Sequence, residues 1–121
     1  MPRRKITFET VMEIGLRLPQ VEERTMYGTP ALKLNGKLLA CVPTNKAAEP
    51  DSLAVSIDFD QREGLIADAP ETYYLKAHYV NYPCVLVRLQ QINLAALKEL
   101  LEASWQFVNK SSRKSAGRRS R

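Results

Sequence analysis

The dipeptide Asn35-Gly36 is the feature that most restricts how this chain can fold. It separates a partly alternating run, ALKL at 31–34, from the continuously apolar run LLACV at 38–42. Both central residues tolerate positive φ, which a type I′ turn requires and which matches the twist of the strands that it joins. The pattern therefore predicts an antiparallel β-hairpin, with its second strand in the interior of a sheet.

Amphipathic helices are predicted on both sides of the strand-forming region. Thr7 is suited to cap a first helix that runs to about Leu18, and Asn93 to cap a last helix whose apolar stripe ends at Val108. Further strands are predicted over SLAVSID, ETYYLK and CVLVRL. Strands bracketed by helices indicate an α+β fold. We expect a two-layer sandwich: an antiparallel sheet of about five to six strands, with the N- and C-terminal helices packed on one face.

A short helix is predicted between the strand regions SLAVSID and ETYYLK. Asp60, with Glu63 three residues later, fits an acidic capping box and predicts a helix that ends at about Ala67. Asp58, Asp60 and Arg62 also resemble a carboxylate cluster. Two carboxylates without a histidine or a third acid make a weak metal site, because hard cations take many oxygen ligands. We therefore interpret this cluster as structural.

Positive charge is concentrated at the two ends of the chain. The 121 residues include 18 lysines and arginines against 13 acidic residues, for a formal net charge of +5. Residues 6–109 hold nine of the basic residues and all 13 acidic ones, so their net charge is −4. Attraction for phosphates is therefore expected at the termini. The predicted nucleic-acid contacts are Arg3, Arg4, Lys5, Lys110, Arg113, Lys114, Arg118, Arg119 and Arg121.

Residues 1–109 are predicted to form one domain, and residues 110–121 a basic, disordered tail. From residue 111 the sequence SSRKSAGRRSR has no apolar periodicity, so it buries too little surface to offset the entropy of ordering. No apolar run approaches the ~18 residues that span a bilayer. We expect a cytoplasmic monomer without membrane contact.

The inventory of catalytic motifs is short. The chain holds one histidine and no HExxH, GxSxG, P-loop or GxGxxG motif, so we predict no catalytic residue, no metal and no cofactor. Cys41 and Cys84 each lie in an apolar run, where a free cysteine behaves as a small hydrophobe. Two reduced core thiols are expected, and a disulfide or a reactive thiol is the alternative.

Four segments carry a resemblance to a known family. They are LPQVEERTMYGTPALKLNGKLLA at 18–40, SIDFDQREGL at 56–65, APETYYLKAHYVNYPCVLVRL at 69–89 and ELLEASWQFV at 99–108. Together they resemble the MmcQ/YjbR family of small bacterial proteins. The resemblance implies a two-layer α+β fold similar to the frataxin-like one. Because members of that family are commonly labelled DNA-binding, it also implies a non-enzymatic module that binds DNA weakly and with little sequence preference.

The segment HYVNYP places the single histidine beside two tyrosines, and two interpretations of it stay open. In the structural one, Tyr79 and Tyr82 cover a sheet edge and His78 bonds a loop carbonyl. In the functional one, these three side chains form one wall of a shallow pocket. The other wall would come from the YGTP turn and the strand after it, through Tyr27, Thr29 and Lys33. Stacking faces, hydroxyls and a cation suit a nucleotide or a small anion.

Overall fold

The computed structural model describes residues 6–26, 28–43, 48 and 51–119, apart from the side chains of residues 26, 78 and 111–119. Three α-helices, six strands and one 3₁₀ helix follow one another within these residues. In chain order they are α1 (Phe8–Gly15), β1 (Val21–Met26), β2 (Thr29–Leu34), β3 (Lys37–Cys41), β4 (Ser52–Ser56), α2 (Phe59–Asp68), β5 (Tyr73–Tyr74), the 3₁₀ helix (Ala77–Tyr79), β6 (Cys84–Arg88) and α3 (Leu94–Arg119).

The six strands form one sheet in the order β1-β2-β3-β4-β6-β5, and every neighbouring pair is antiparallel. The turn between β2 and β3 has φ of 53° at Asn35 and 82° at Gly36, so both central residues are left-handed. Leu34 pairs with Lys37 across this turn, which confirms the predicted hairpin. The predicted α+β sandwich with an antiparallel sheet is confirmed as well.

The main core lies between one face of the sheet and the helices. Leu53 and Val55 of β4 point to this face and pack with Val11 of α1 and with Leu97 and Leu101 of α3. All five side chains are fully buried. Burial of such a side chain contributes about 1.5–3 kcal/mol, so this layer is the main source of stability.

The opposite face of the sheet, which we call the outer face, carries a second, smaller cluster. Its buried members are Ala31, Cys41, Ala54, Tyr74 and Leu86. Ala54 lies between Leu53 and Val55 on β4, so the alternation of a strand separates the two clusters. Since the members of this cluster are buried, the part of the outer face around them is covered rather than open to solvent.

A bulge in β3 is held by serine hydroxyls from two directions. Leu32 pairs with Ala40 and Lys33 with Leu38, so Leu39 has no partner residue on β2. The carbonyl of Leu39 accepts a hydrogen bond from the buried Ser104 hydroxyl of α3, at 3.2 Å. The neighbouring carbonyl of Leu38 accepts one from the Ser56 hydroxyl of β4, at 2.8 Å. Side chains thus satisfy backbone carbonyls where the bulge interrupts the ladder.

Two helix caps agree with the sequence and one does not. Thr7 is the N-cap of α1, and the side-chain oxygen of Asn93 accepts from the backbone N–H of Ala96 at the start of α3, at 2.8 Å. The prediction that Asp60 caps α2 is wrong. Asp58 is the N-cap, with an extended backbone, and its carboxylate accepts from the N–H of Gln61 at 2.7 Å. Asp60 lies in the first turn, where a negative charge favours the helix dipole.

The C-terminal part of α3 differs from the predicted disorder. Its backbone is helical through Arg119, because lysine and arginine favour helix and the packed part of α3 has already nucleated it, although three serines and Gly117 disfavour helix. Among the predicted nucleic-acid contacts, Lys110 is described and exposed. The side chains of Arg113, Lys114, Arg118 and Arg119, and all of Arg3, Arg4, Lys5 and Arg121, lie outside the described residues. The division into a domain of residues 1–109 and a tail stays a prediction.

The single tryptophan ties α3 to the turn that follows α1. The Trp105 indole N–H donates a hydrogen bond to the carbonyl of Pro19, at 2.9 Å. Its fluorescence therefore reports on the packing of α3 against the N-terminal turn. Within the described part of the chain, no helix is long and apolar enough to cross a membrane.

Candidate functional site

Residues 75–83, which we call the covering segment, connect β5 to β6 and lie over part of the outer face. The segment contains the 3₁₀ helix, whose turn is closed by a hydrogen bond from the Tyr79 N–H to the Lys76 carbonyl, at 2.8 Å. Tyr79 is partly buried and packs on the outer-face cluster. Val80 and Tyr82 are 44% and 57% exposed. One tyrosine of the HYVNYP motif thus covers the sheet, and the other faces solvent.

Arg62 of α2 anchors the covering segment from below. Arg62 is only 5% exposed. Its guanidinium Nη1 donates hydrogen bonds to the carbonyl of Val80, at 3.2 Å, and to that of Tyr82, at 3.0 Å. The guanidinium also lies 4.8 Å from the centre of the Phe59 ring and 3.4 Å from the Glu63 carboxylate. The planar fork of arginine suits such multiple bonds. This buried cation is therefore a structural clamp rather than part of a surface carboxylate cluster.

A signal for the burial of Arg62 exists in the sequence. Arg62 follows Phe59 by three residues and precedes Ile66 by four, so it lies on the apolar stripe of α2. Phe59 contacts the guanidinium, and Ile66 packs against the main core. A charged residue on an apolar stripe needs a polar partner when it is buried. What the sequence did not reveal was that the partners are backbone carbonyls.

The two cysteines lie on the outer face, on the strands to either side of β4. They are too far apart to form a disulfide. Cys41 of β3 pairs with Ala54, and Cys84 of β6 pairs with Ser56. Two strand spacings alone amount to about 9.6 Å, which exceeds the ~7 Å limit between the Cα atoms of a disulfide, and the partners Ala54 and Ser56 add a two-residue offset along β4. Both thiols are free in the structure, with Cys41 buried and Cys84 partly buried. Their reduced state stays a prediction.

The environment of both cysteines disfavours the thiolate. Burial raises the pKa of Cys41 to about 11, and the nearby Cys84 adds to the effect. Burial also raises the pKa of Cys84, although the positive charge of Arg62 opposes it. Above them, burial raises the pKa of the Tyr79 hydroxyl, to which Cys41 and Cys84 contribute further. The cluster lacks an activated nucleophile, since thiol reactivity follows the thiolate.

Both thiols are expected to react slowly with Ellman's reagent in the native protein. With a pKa of about 11, Cys41 is roughly 0.1% thiolate at pH 8. We expect native labelling to be at least about 100-fold slower than labelling in urea, and to quicken with each unit of pH. Stopped-flow absorbance at 412 nm measures both rates. A fast phase of one equivalent in the native protein at pH 8 would contradict this account.

Tyr74 is the centre of a stack of aromatic and basic side chains near the β5 edge. The Arg88 guanidinium lies 4.4 Å from its ring centre and the Lys76 ammonium 5.8 Å. Its hydroxyl is 2.5 Å from the Ser52 hydroxyl. Arg88 also donates to the carbonyls of Pro70 and Glu71, at 3.1 Å each. These contacts attach the two-residue strand β5 and the turn before it to the rest of the sheet.

Three of the six predicted pocket residues share one face of the sheet. Thr29 and Lys33 alternate with Leu32 and Leu34 along β2, so they lie on the outer face with Tyr79. The Thr29 hydroxyl donates to the carbonyl of Val42, at 3.3 Å. Tyr82 is 57% exposed, and Tyr27 and the His78 side chain lie outside the described residues. Among the residues described, no group of three or more His, Cys, Asp or Glu side chains is placed to hold a metal ion.

Comparison with known proteins identifies the family. The sequence profile of the YjbR family matches residues 16–107. Uncharacterized proteins of Mycobacterium tuberculosis and Mycobacterium bovis are 46% identical over 41 residues, which are 34% of this chain and 32% of theirs. The chain therefore spans about a third of the length of these curated relatives. The crystal structure of a Deinococcus radiodurans DUF419-domain protein superposes with a TM-score of 0.72 at 22% identity, over 89% of this chain and 82% of that one. Because its profile covers most of the chain, this protein belongs to the YjbR family.

Proposed function

We propose that this protein is a non-enzymatic module that binds DNA weakly, with little sequence preference, through the basic C-terminal extension of α3. The observation that supports it is the continuous helical backbone from Leu94 to Arg119. Residues 110–119 carry five basic side chains and no acidic one. Ten helical residues span about 15 Å, so the backbone of the extension forms a rod rather than a collapsed tail.

The net charge of residues 6–109 supports the assignment of DNA binding to the extension of α3. Residues 6–109 have a net charge of −4, which repels phosphates on average. The extension has no aromatic side chain to stack on bases. Contacts from lysine and arginine to phosphate position a protein on DNA without reading its sequence. Affinity is therefore expected to come from counterion release and to fall with salt.

Replacing Lys110, Arg113, Lys114, Arg118 and Arg119 together with glutamine tests the proposal in the full-length chain. Glutamine retains helix propensity and removes the positive charge. For the parent protein we expect log K against log salt to have a slope of about −3 to −5 on duplex DNA, and for the variant a slope near zero. Fluorescence anisotropy with labelled duplexes of two unrelated sequences measures both.

The matched control replaces three exposed basic residues of the body, Arg17, Lys37 and Lys98, with glutamine. This control changes net charge without altering the extension, and its affinity should fall much less. Unchanged binding by the variant of the extension would refute the proposal. So would a strong preference for one of the two duplexes, because phosphate contacts alone do not discriminate.

A further inference from the structure

A cleft on the helical side of the molecule is not explained by DNA binding. It lies between α2, β5 and α3 and has a volume of about 320 Å³. Ile57, Leu65 and Leu100 form an apolar part of its lining. This size is at the lower end of small-molecule sites, which are mostly apolar with a few polar groups that orient the ligand.

The charged side chains on the lining of the cleft are both acidic, and Gln61 and Tyr73 add neutral polar groups. Asp68 of α2 and Glu99 of α3 lie on its lining, both on exposed residues, and no lysine or arginine lines it among the described residues. Two carboxylates beside an apolar surface complement a ligand that combines a positive charge with an apolar body. The same carboxylates would repel the phosphates of DNA.

Tyr73 supplies an unused hydrogen-bonding group in this cleft. The residue is only 6% exposed, and its hydroxyl has no hydrogen-bond partner among the described residues. Every fully enclosed side-chain nitrogen or oxygen of the described residues does have a partner. The Tyr73 hydroxyl is therefore accessible, and it lines the cleft. Burial, with Glu99 adding to it, raises the pKa of Tyr73, so the hydroxyl stays neutral and can donate or accept.

We propose that this cleft binds a small organic cation, a protonated amine with an apolar body. The ammonium group lies between the carboxylates of Asp68 and Glu99, and the body lies against Leu65 and Leu100. The Tyr73 hydroxyl hydrogen-bonds the polar end of the ligand. This site is separate from the basic extension of α3, and it rests on different observations from the proposal of DNA binding.

Gly64 offers a way to close the cleft without disturbing the fold. It lies in α2 on the lining of the cleft, and a Cβ atom added there would meet no other atom within 4 Å. A Gly64→Leu side chain therefore occupies open space. Leucine also favours helix over glycine, so the variant is expected to fold.

The test is a titration of the full-length protein with phenethylamine and with 2-phenylethanol, its neutral counterpart, followed by ¹H–¹⁵N NMR. For a ligand of this size we expect a Kd of about 1 mM for the amine. The alcohol should bind at least about fivefold more weakly. Gly64→Leu should abolish binding of the amine. Glu99→Gln should weaken it about two- to fivefold, while Glu102→Gln, an exposed change outside the lining, should leave it unaltered.

Three results would overturn the proposal. Equal affinity for the amine and the alcohol would show that the cleft binds the apolar part of the ligand and does not recognise its positive charge. If phenethylamine still changes the NMR chemical shifts of the Gly64→Leu variant, the amine binds outside this cleft. Absence of any shift for the amine at about 20 mM would show that the cleft does not bind this class of ligand. The result is independent of the glutamine variant of the extension, so each proposal can fail alone.

Discussion

Replacing Arg62 with methionine is expected to lower the free energy of unfolding by about 2–3 kcal/mol. Methionine preserves much of the volume but cannot donate the bonds that Arg62 makes to the carbonyls of Val80 and Tyr82. Hydrogen bonds from a charged donor contribute about 1.5–3 kcal/mol each, and rehydration of the carbonyls offsets part of the loss. Because those bonds hold the covering segment, hydrogen exchange of residues 75–83 should quicken more than exchange in β3 and β4.

Arg62→Lys is the matched control for this prediction. Lysine retains the positive charge but lacks the planar fork that reaches two carbonyls at once. We expect its free energy of unfolding to fall between those of the parent and the methionine variant. Urea unfolding followed by Trp105 fluorescence measures all three. If Arg62→Met unfolds at the parent's urea midpoint, the clamp contributes nothing to stability, contrary to this account.

Replacing Gly15 with valine is expected to cost about 3 kcal/mol of stability. Gly15 is the last residue of α1, and a Cβ atom there would collide with the Cδ1 atom of Leu32 on β2. Leu32 is fully buried among core side chains, so it has little room to move aside. Overpacking of this kind typically costs about 1–3 kcal/mol, and valine adds two further methyl groups to the collision. Gly15 thus allows α1 to approach the sheet closely.

The same substitution at Gly64 separates packing from helix propensity. Gly64 is also helical, but its missing Cβ faces open space. Because valine and glycine differ little in helix propensity, Gly64→Val should change stability by less than about 0.5 kcal/mol. Thermal unfolding by circular dichroism compares the two variants. Equal losses at Gly15 and Gly64 would mean that the collision with Leu32 is relieved without cost.

Elements with a strong local signal were predictable from the sequence. The hairpin at Asn35-Gly36 follows from the backbone preferences of two residues. The cap at Asn93 follows from one side chain whose oxygen accepts a hydrogen bond from a free backbone N–H in the first turn of the helix. The order of strands and helices then leaves few folds to choose from, which is why the antiparallel α+β sandwich could be expected. The cap of α2 was misplaced by two residues because Asp58 and Asp60 are both good caps. The local sequence does not decide between them.

Contacts between segments distant in the chain were not predictable in this way. Arg62 and its acceptor Tyr82 are 20 residues apart, and Ser104 and Leu39 are 65 apart. Their pairing depends on how the sheet and helices pack, which no local pattern encodes. The cleft beside Tyr73 is a further example, since its lining comes from two helices, an edge strand and the connection between β4 and α2. The sequence also does not show that Thr29, Lys33 and Tyr79 share one face of the sheet.

The way in which Arg62 holds the covering segment has a consequence for evolutionary variation. Its acceptors are main-chain oxygens of residues 80 and 82, and every amino acid carries such an oxygen. These two hydrogen bonds use neither the Val80 nor the Tyr82 side chain, and both residues are exposed. Substitutions at positions 80 and 82 can therefore change the surface of the covering segment while the two hydrogen bonds from Arg62 are kept. The same fold can then carry different surface chemistry at this segment.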